Sequence, residues 1–140
     1  MIADIALTWV GTPFKWQGRV RAGCDCKGLV AGVAKEAGRP EADSVQALAG
    51  DYRGGVDEKR LNAGLESLFD RADDVQAGDI LLLKIGGKAQ HLAIATKAEN
   101  GRAKRMVHCY HTGPQKVIDV PVGTITQSAI VAVYRWRECR

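Results

Sequence analysis

The chain has 140 residues, 46% of them hydrophobic and 26% charged, with a formal net charge of +4. That is the composition of one globular domain, residues 1–140, long enough to bury roughly two thirds of its unfolded surface without disulfide or metal staples, and it excludes low-complexity and fibrous chains. The positive charge permits a polyanionic partner, but the basic residues are scattered and lack aromatic interleaving, so no nucleic acid is expected.

Met1-Ile2-Ala3-Asp4 has neither a basic region nor a long apolar stretch, so no signal peptide is expected and the chain is expected to be synthesised in cytoplasm. The pattern predicts helices over Ile2–Trp9, Gly28–Ala37 (ended by Gly38 and Pro40) and Glu58–Phe69 (Leu61, Leu65, Leu68, Phe69). Arg39–Val56, with Pro40, Gly50, Gly54 and Gly55, carries no decisive signal and is placed at the border of a cleft. Strands are predicted over Asp79–Ile85, Gln90–Thr96, Ala103–Tyr110, Gln115–Val120 and Ile130–Trp136, separated by Gly-Gly, Asn-Gly and Thr-Gly-Pro turns. The longest apolar run, Ile80 to Leu83, is far short of the roughly 20 residues of a membrane span. Helices first and an antiparallel meander second give an α+β fold, with N-terminal helices packed on a central antiparallel sheet.

Two segments carry chemistry. In Gly23-Cys24-Asp25-Cys26-Lys27-Gly28-Leu29-Val30, Cys26 stands where a helix opens, with Leu29, Val30, Val33, Ala34 and Ala37 as its apolar stripe. The free amides and positive dipole end there are expected to lower the thiol pKa below about 8.5 and to hold an oxyanion. A thiol nucleophile also needs a base and a group that orients it. Alternation puts His91, Ala93 and Ala95 on one strand face and Leu92 and Ile94 on the other, and the alanines are expected to admit the helix closely. Asn100-Gly101 predicts a two-residue hairpin pairing Glu99 with Arg102 and hence Ala93 with His108, which leaves His108 diagonal to His91 on the same face. His111 has the opposite parity, and it and Asp119 are the reserve orienters. Cys24 and Cys109 are expected in the core.

The order and spacing of Gly11-Thr12-Pro13-Phe14-Lys15-Trp16, Cys24 to Val30, Ala77-Gly78-Asp79-Ile80-Leu81-Leu82, His91-Leu92-Ala93-Ile94 and Val107-His108 resemble the NlpC-type cell-wall peptidases, a papain-like family, and its phage and gene-transfer-agent subgroup in particular. The resemblance covers nearly the whole chain. It implies a papain-like fold and hydrolysis of peptidoglycan stem peptides, commonly between D-glutamate and a diamino acid. Cys26 would be nucleophile, His91 base and His108 orienter, with Phe14, Trp16, Asp25 and Lys27 at the substrate and no metal or cofactor. The family usually has Tyr where this chain has Phe14, and often Ser where it has Lys27, which would either pair with a substrate carboxylate or be solvated. A wall enzyme without a signal peptide implies delivery from a virion or phage-like tail, with tail-tip or baseplate hub proteins as partners. Other readings are a zinc module built on Cys24, Cys26, His108, Cys109 and His111, an inactive structural part of a tail tip, and an amidase or acyltransferase on the same fold.

Overall fold

The computed structural model describes residues 1–49 and 57–137. Among them run α1 (Ile2–Thr8), β1 (Arg19–Val20), β2 (Gly23–Cys24), α2 (Cys26–Glu36), α3 (Ala42–Ala49), α4 (Glu58–Leu68), β3 (Asp70–Ala72), β4 (Ile80–Ile85), β5 (Lys88–Glu99), β6 (Arg102–His108), β7 (Ile118–Pro121), α5 (Thr124–Ala129) and β8 (Ile130–Arg135). The six longer-range strands form one antiparallel sheet in the order β3-β8-β4-β5-β6-β7, and β1 and β2 form a separate ribbon. Helices α1, α2 and α4 all pack against β5, the α+β arrangement expected from the sequence. In the stretch without a decisive signal, α3 packs on α2 and α4; Gly50, Gly54 and Gly55 lie outside the described residues, as does Cys139.

The β5–β6 hairpin turns at Asn100 and Gly101, whose φ values of 54° and 76° suit a primed turn. Its ladder starts at Glu99 opposite Arg102 and ends at Ile94 opposite Val107; two irregularities around Lys97 cancel, so the register of the turn is also the register of its far end. There the ladder stops while β5 continues back to Lys88, leaving its residues 88–93 without a β6 partner.

Helix α2 is buried on every side from Cys26 to Ala34, not along one stripe, because α1, the β1–β2 ribbon, α3 and the sheet all touch it. Two glycines permit this crowding. A Cβ on Gly28 would sit 1.6 Å from the Gly18 carbonyl oxygen, and one on Gly32 would sit 2.3 Å from the Trp9 ring. Trp9 is itself buried and donates its indole N–H to Glu36 at 2.8 Å. The helix lies on the face of Leu92 and Ile94, which share the main core with Cys26, Leu29, Leu82 and Val107. Ala93 and Ala95 belong instead to a second cluster with Leu81, Leu83, Ala103 and Met106. The expectation that the alanine face receives the helix is therefore corrected: alternation identifies two faces, but filling a core needed the larger side chains toward α2.

The start of β4 is tied to β8. Asp79, buried, accepts two hydrogen bonds from the Arg135 guanidinium (3.1 and 2.8 Å) and one from the Gln76 N–H (2.8 Å), just after Gly78 turns the chain at φ 97°.

Gly28→Ala tests the crowding at α2. Overpacking against the Gly18 carbonyl should cost about 2 kcal/mol or more and lower Tm by roughly 5–10 °C. A melting temperature unchanged by calorimetry would mean that the Gly18 loop does not press on the helix.

Candidate active site

Helix α2 opens on Asp25, whose extended backbone (φ −102°, ψ −171°) is that of an N-cap. Its Oδ1 accepts the Gly28 N–H at 2.7 Å and its Oδ2 the Gln17 N–H at 2.8 Å. The carboxylate thus fixes where the helix starts and ties that start to the loop carrying Phe14 and Trp16. Burial raises the Asp25 pKa, and the two amides together with the Lys27 charge oppose that rise. Cys26 is accordingly the first helical residue, two positions earlier than the apolar pattern predicted.

The Cys26 thiol meets β5 in the stretch that pairs with β4 but not with β6. The Leu92 N–H is aimed at its sulfur, while the Lys27 ammonium lies 3.8 Å from that sulfur and 3.5 Å from the Gln90 carbonyl. These contacts bracket His91 along the chain, and the Lys27 charge also acts on the His91 ring. His91 Nε2 lies 2.8 Å from His108 Nδ1, the rings at 83° to each other. Hairpin parity had predicted that pairing. His91 Nδ1 is buried and has no hydrogen-bond partner among the described residues.

Burial governs the electrostatics. Cys26 is only 8% exposed, and desolvation pushes its thiol pKa up despite the Lys27 charge and the Leu92 amide, reversing the lowering expected from the helix end alone. His91, 2% exposed, is pushed down to about 3, first by burial and then by the charges of His108, Lys27 and His111. His108 is also lowered by burial. At neutral pH both imidazoles are uncharged, and the one buried cation beside them among the described residues is Lys27.

A run of rings leads outward. Tyr110 meets His91 edge-on at 5.1 Å, His111 lies 4.3 Å from Tyr110, Trp16 stacks on His111 at 5.3 Å, and Phe14 meets Trp16 at 5.1 Å. Trp16 is 49% exposed. Parity set His111 aside and left Tyr110 unnamed, but the chain leaves β6 at His108, and alternation has no force beyond a strand end. The signal available was the density of rings in His108-Cys109-Tyr110-His111.

Trp16 thus stands exposed, with Phe14 beside it partly buried against the core. Asp25 and Lys27 are not on the open side: each is 2% exposed, one turned to backbone amides and the other to the thiol, and the solvated alternative for Lys27 is overturned. Asp119 accepts hydrogen bonds from Thr96 and Arg105, both at 2.9 Å, away from His91. Cys24 and Cys109 are fully buried, with the Cys109 thiol 3.4 Å from the Cys24 carbonyl. No group of three or more His, Cys, Asp or Glu suited to a metal ion exists among the described residues.

A family model described as the NlpC/P60 family matches residues 11–135. The chain belongs to that family. Its fold is similar to the NlpC/p60 domain of the peptidoglycan hydrolase SagA, at 22% identity and a TM-score of 0.61 over 96% of this chain and 95% of that one. It is also similar to a lipoprotein-like NLP/P60 family protein of Staphylococcus aureus subsp. aureus Mu50 (19%, TM-score 0.59, 99% of this chain and 41% of that one). A third likeness is an NlpC/P60 family protein of Bacillus cereus ATCC 10987 (15%, TM-score 0.58, 96% and 40%). The chain spans about two fifths of the length of those last two. No curated protein matches the sequence. The NlpC/P60 fold and the papain-like α+β architecture expected from the motifs therefore agree, and the Gly78-Asp79 motif of this NlpC/P60 domain is explained by the Asp79–Arg135 tie.

The buried neutral imidazole fixes a pH dependence of folding. His91 has a folded pKa of about 3 against an unfolded value near 6.5, so between those limits the unfolded chain binds more protons and stability falls as pH falls. Denaturant titrations from pH 7 to 4 should show this loss, and His91→Gln should reduce the slope by on the order of 1 kcal/mol per pH unit. Parallel profiles for the two proteins would refute a buried, neutral His91.

Proposed function

We propose that this NlpC/P60 chain is a cysteine peptidase that hydrolyses peptide bonds in peptidoglycan stem peptides, with Cys26 as nucleophile, His91 as base and His108 as the group that orients the base. The 2.8 Å contact between His91 and His108 carries this reading, supported by the Leu92 N–H and the Lys27 ammonium that reach the Cys26 sulfur. For His91 Nδ1 to act as base, Nε2 must carry the ring hydrogen and donate it to His108 Nδ1, and that bond holds the ring in the required tautomer. The thiol proton passes to His91 Nδ1 as sulfur attacks the carbonyl carbon. The tetrahedral oxyanion forms where the first amides of α2 are free to donate. Collapse breaks the C–N bond, and His91 returns the proton to the leaving amine. Water, deprotonated by His91, then hydrolyses the thioester and regenerates the thiol.

The exposed Trp16 with His111 and Phe14 forms an apolar wall suited to the flat and alkyl parts of a short peptide. Phe14, lacking the hydroxyl usual in the family, adds surface to this wall but no hydrogen bond. The link from D-glutamate to a diamino acid is the bond we propose, supported by the motif resemblance. The likeness of the motifs as a set to the phage and gene-transfer-agent subgroup supports delivery on a tail tip, through contacts with its hub proteins. Co-sedimentation of the native protein with tail-like particles checks that placement, and recovery only in particle-free fractions would contradict it.

Digestion of purified peptidoglycan, with mass analysis of released fragments, tests the chemistry. Wild type should release cleaved stem peptides, Cys26→Ala none, and His108→Ala should lose about 10²-fold or more in kcat. No new fragments from wild type would sink the peptidase reading, and release of intact stems would point to an amidase. Unimpaired cleavage by His108→Ala would remove His108 from its role.

A further inference from the structure

Two thiols meet in the core close to the candidate site. Cys24 ends β2, one residue before the cap of α2, and Cys109 is the first residue past β6, next to His108. They stand 85 positions apart in the chain, yet the Cys109 thiol lies 3.4 Å from the Cys24 carbonyl and the two thiols hydrogen-bond to one another. Both are free and fully buried, and the mechanism uses neither. We propose that Cys24 and Cys109 are a disulfide site, joined in oxidising surroundings into a bond that staples the segment entering α2 to the segment leaving β6.

A buried cysteine alone is ordinary core filling; two thiols in direct contact from distant segments are not. The backbone at Cys24 is held from both sides, its N–H donating to the Pro13 carbonyl and its carbonyl accepting the Lys15 N–H, each at 3.0 Å. One sulfur is therefore presented from a fixed frame, and the other lies just beyond a strand end. Their shared hydrogen bond raises the Cys24 pKa and lowers that of Cys109, so Cys109 supplies the attacking thiolate. The oxidant is a low-molecular-weight disulfide such as oxidised glutathione, met while the core is open. The Cys109 thiolate attacks one glutathione sulfur, and the released glutathione thiolate takes up the proton that Cys109 gave to solvent. The Cys24 sulfur then attacks Cys109 in the mixed disulfide, and the second glutathione leaves with the Cys24 proton. Two protein thiols are oxidised and one glutathione disulfide is reduced to two thiols. Closing so long a loop restricts the unfolded chain strongly, and burial shields the bond from reductants. Cys109 is also among the groups that oppose a Cys26 anion, an influence that a disulfide, unable to ionise, removes.

The test refolds the full chain from urea in glutathione buffers of graded oxidised-to-reduced ratio, so both thiols meet the oxidant before the core closes. Free thiols are trapped with iodoacetamide and the peptides mapped by mass spectrometry without reduction. No peptidoglycan is needed, so the result stands whether or not the peptidase reading does. A linked pair of the Cys24 and Cys109 peptides should appear, two hydrogens lighter than the reduced pair, with Cys26 still alkylated. The linked chain should melt about 10 °C or more above the chain refolded in excess reductant. Cys24→Ala and Cys109→Ala, each checked for folding by circular dichroism, should show no such rise. Absence of the pair at every ratio, or its replacement by a pair containing Cys26, would overturn the proposal. A linked chain that melts no higher than the reduced one would overturn it as well, because the bond would then strain the fold and not staple it.

Discussion

The site depends on one buried carboxylate. Asp25 accepts an amide from its own helix and another from the loop at Gln17, so a single side chain sets both the first residue of α2 and the position of the wall beside it. An N-cap bond alone contributes about 1 kcal/mol. Here its loss would leave the buried Gly28 amide unsatisfied, at a cost of about 1–3 kcal/mol, and would also release the part-buried amide of Gln17. The backbone at Gln17 is held in the left-handed region, φ 60°, which the second of those bonds helps to maintain. Remove the carboxylate and the helix start, the thiol and the Phe14–Trp16 loop lose their common reference.

The sheet supplies the complementary half by ending a ladder early. Because β6 leaves β5 after Val107, the edge of β5 near Leu92 is open to something other than a strand, and the helix start fills the gap. The irregularity between Leu83 and Lys84, opposite Ala89 to His91, falls at the same place. Bulges re-aim side chains where pairing stops. The two histidines therefore meet at the one point where the sheet has both a rigid neighbour, β4, and a vacant edge.

Much of this was legible in the residues. Asn100-Gly101 permits one tight turn, and the turn's register carried through to His91 and His108 because the two irregularities near Lys97 cancel. That cancellation was not visible: one unmatched bulge would have turned His108 to the other face. Alternation separated Leu92 from Ala93 correctly but contained nothing about which face meets α2, since that depends on core volume. Tyr110 and His111 escaped because they lie past a strand end that the sequence does not mark. The glycines of α2 read as ordinary helix residues; only the approach of Gly18 and Trp9 gives Gly28 and Gly32 their necessity.

The thiol environment shows most clearly why position in sequence and position in space differ. A cysteine at a helix start suggests an acidic thiol, yet three influences compete there. The dipole and the Leu92 amide favour the anion, burial opposes it, and burial is the stronger. A site dry enough to suppress a thiolate also suppresses an imidazolium, which is why His91 is held neutral. Such a site cannot form its ion pair from sulfur and imidazole alone without charging both against the same desolvation. Lys27 places a further charge in the same volume, its nitrogen 3.8 Å from the sulfur, and that charge favours the sulfur anion while it disfavours an imidazolium at His91.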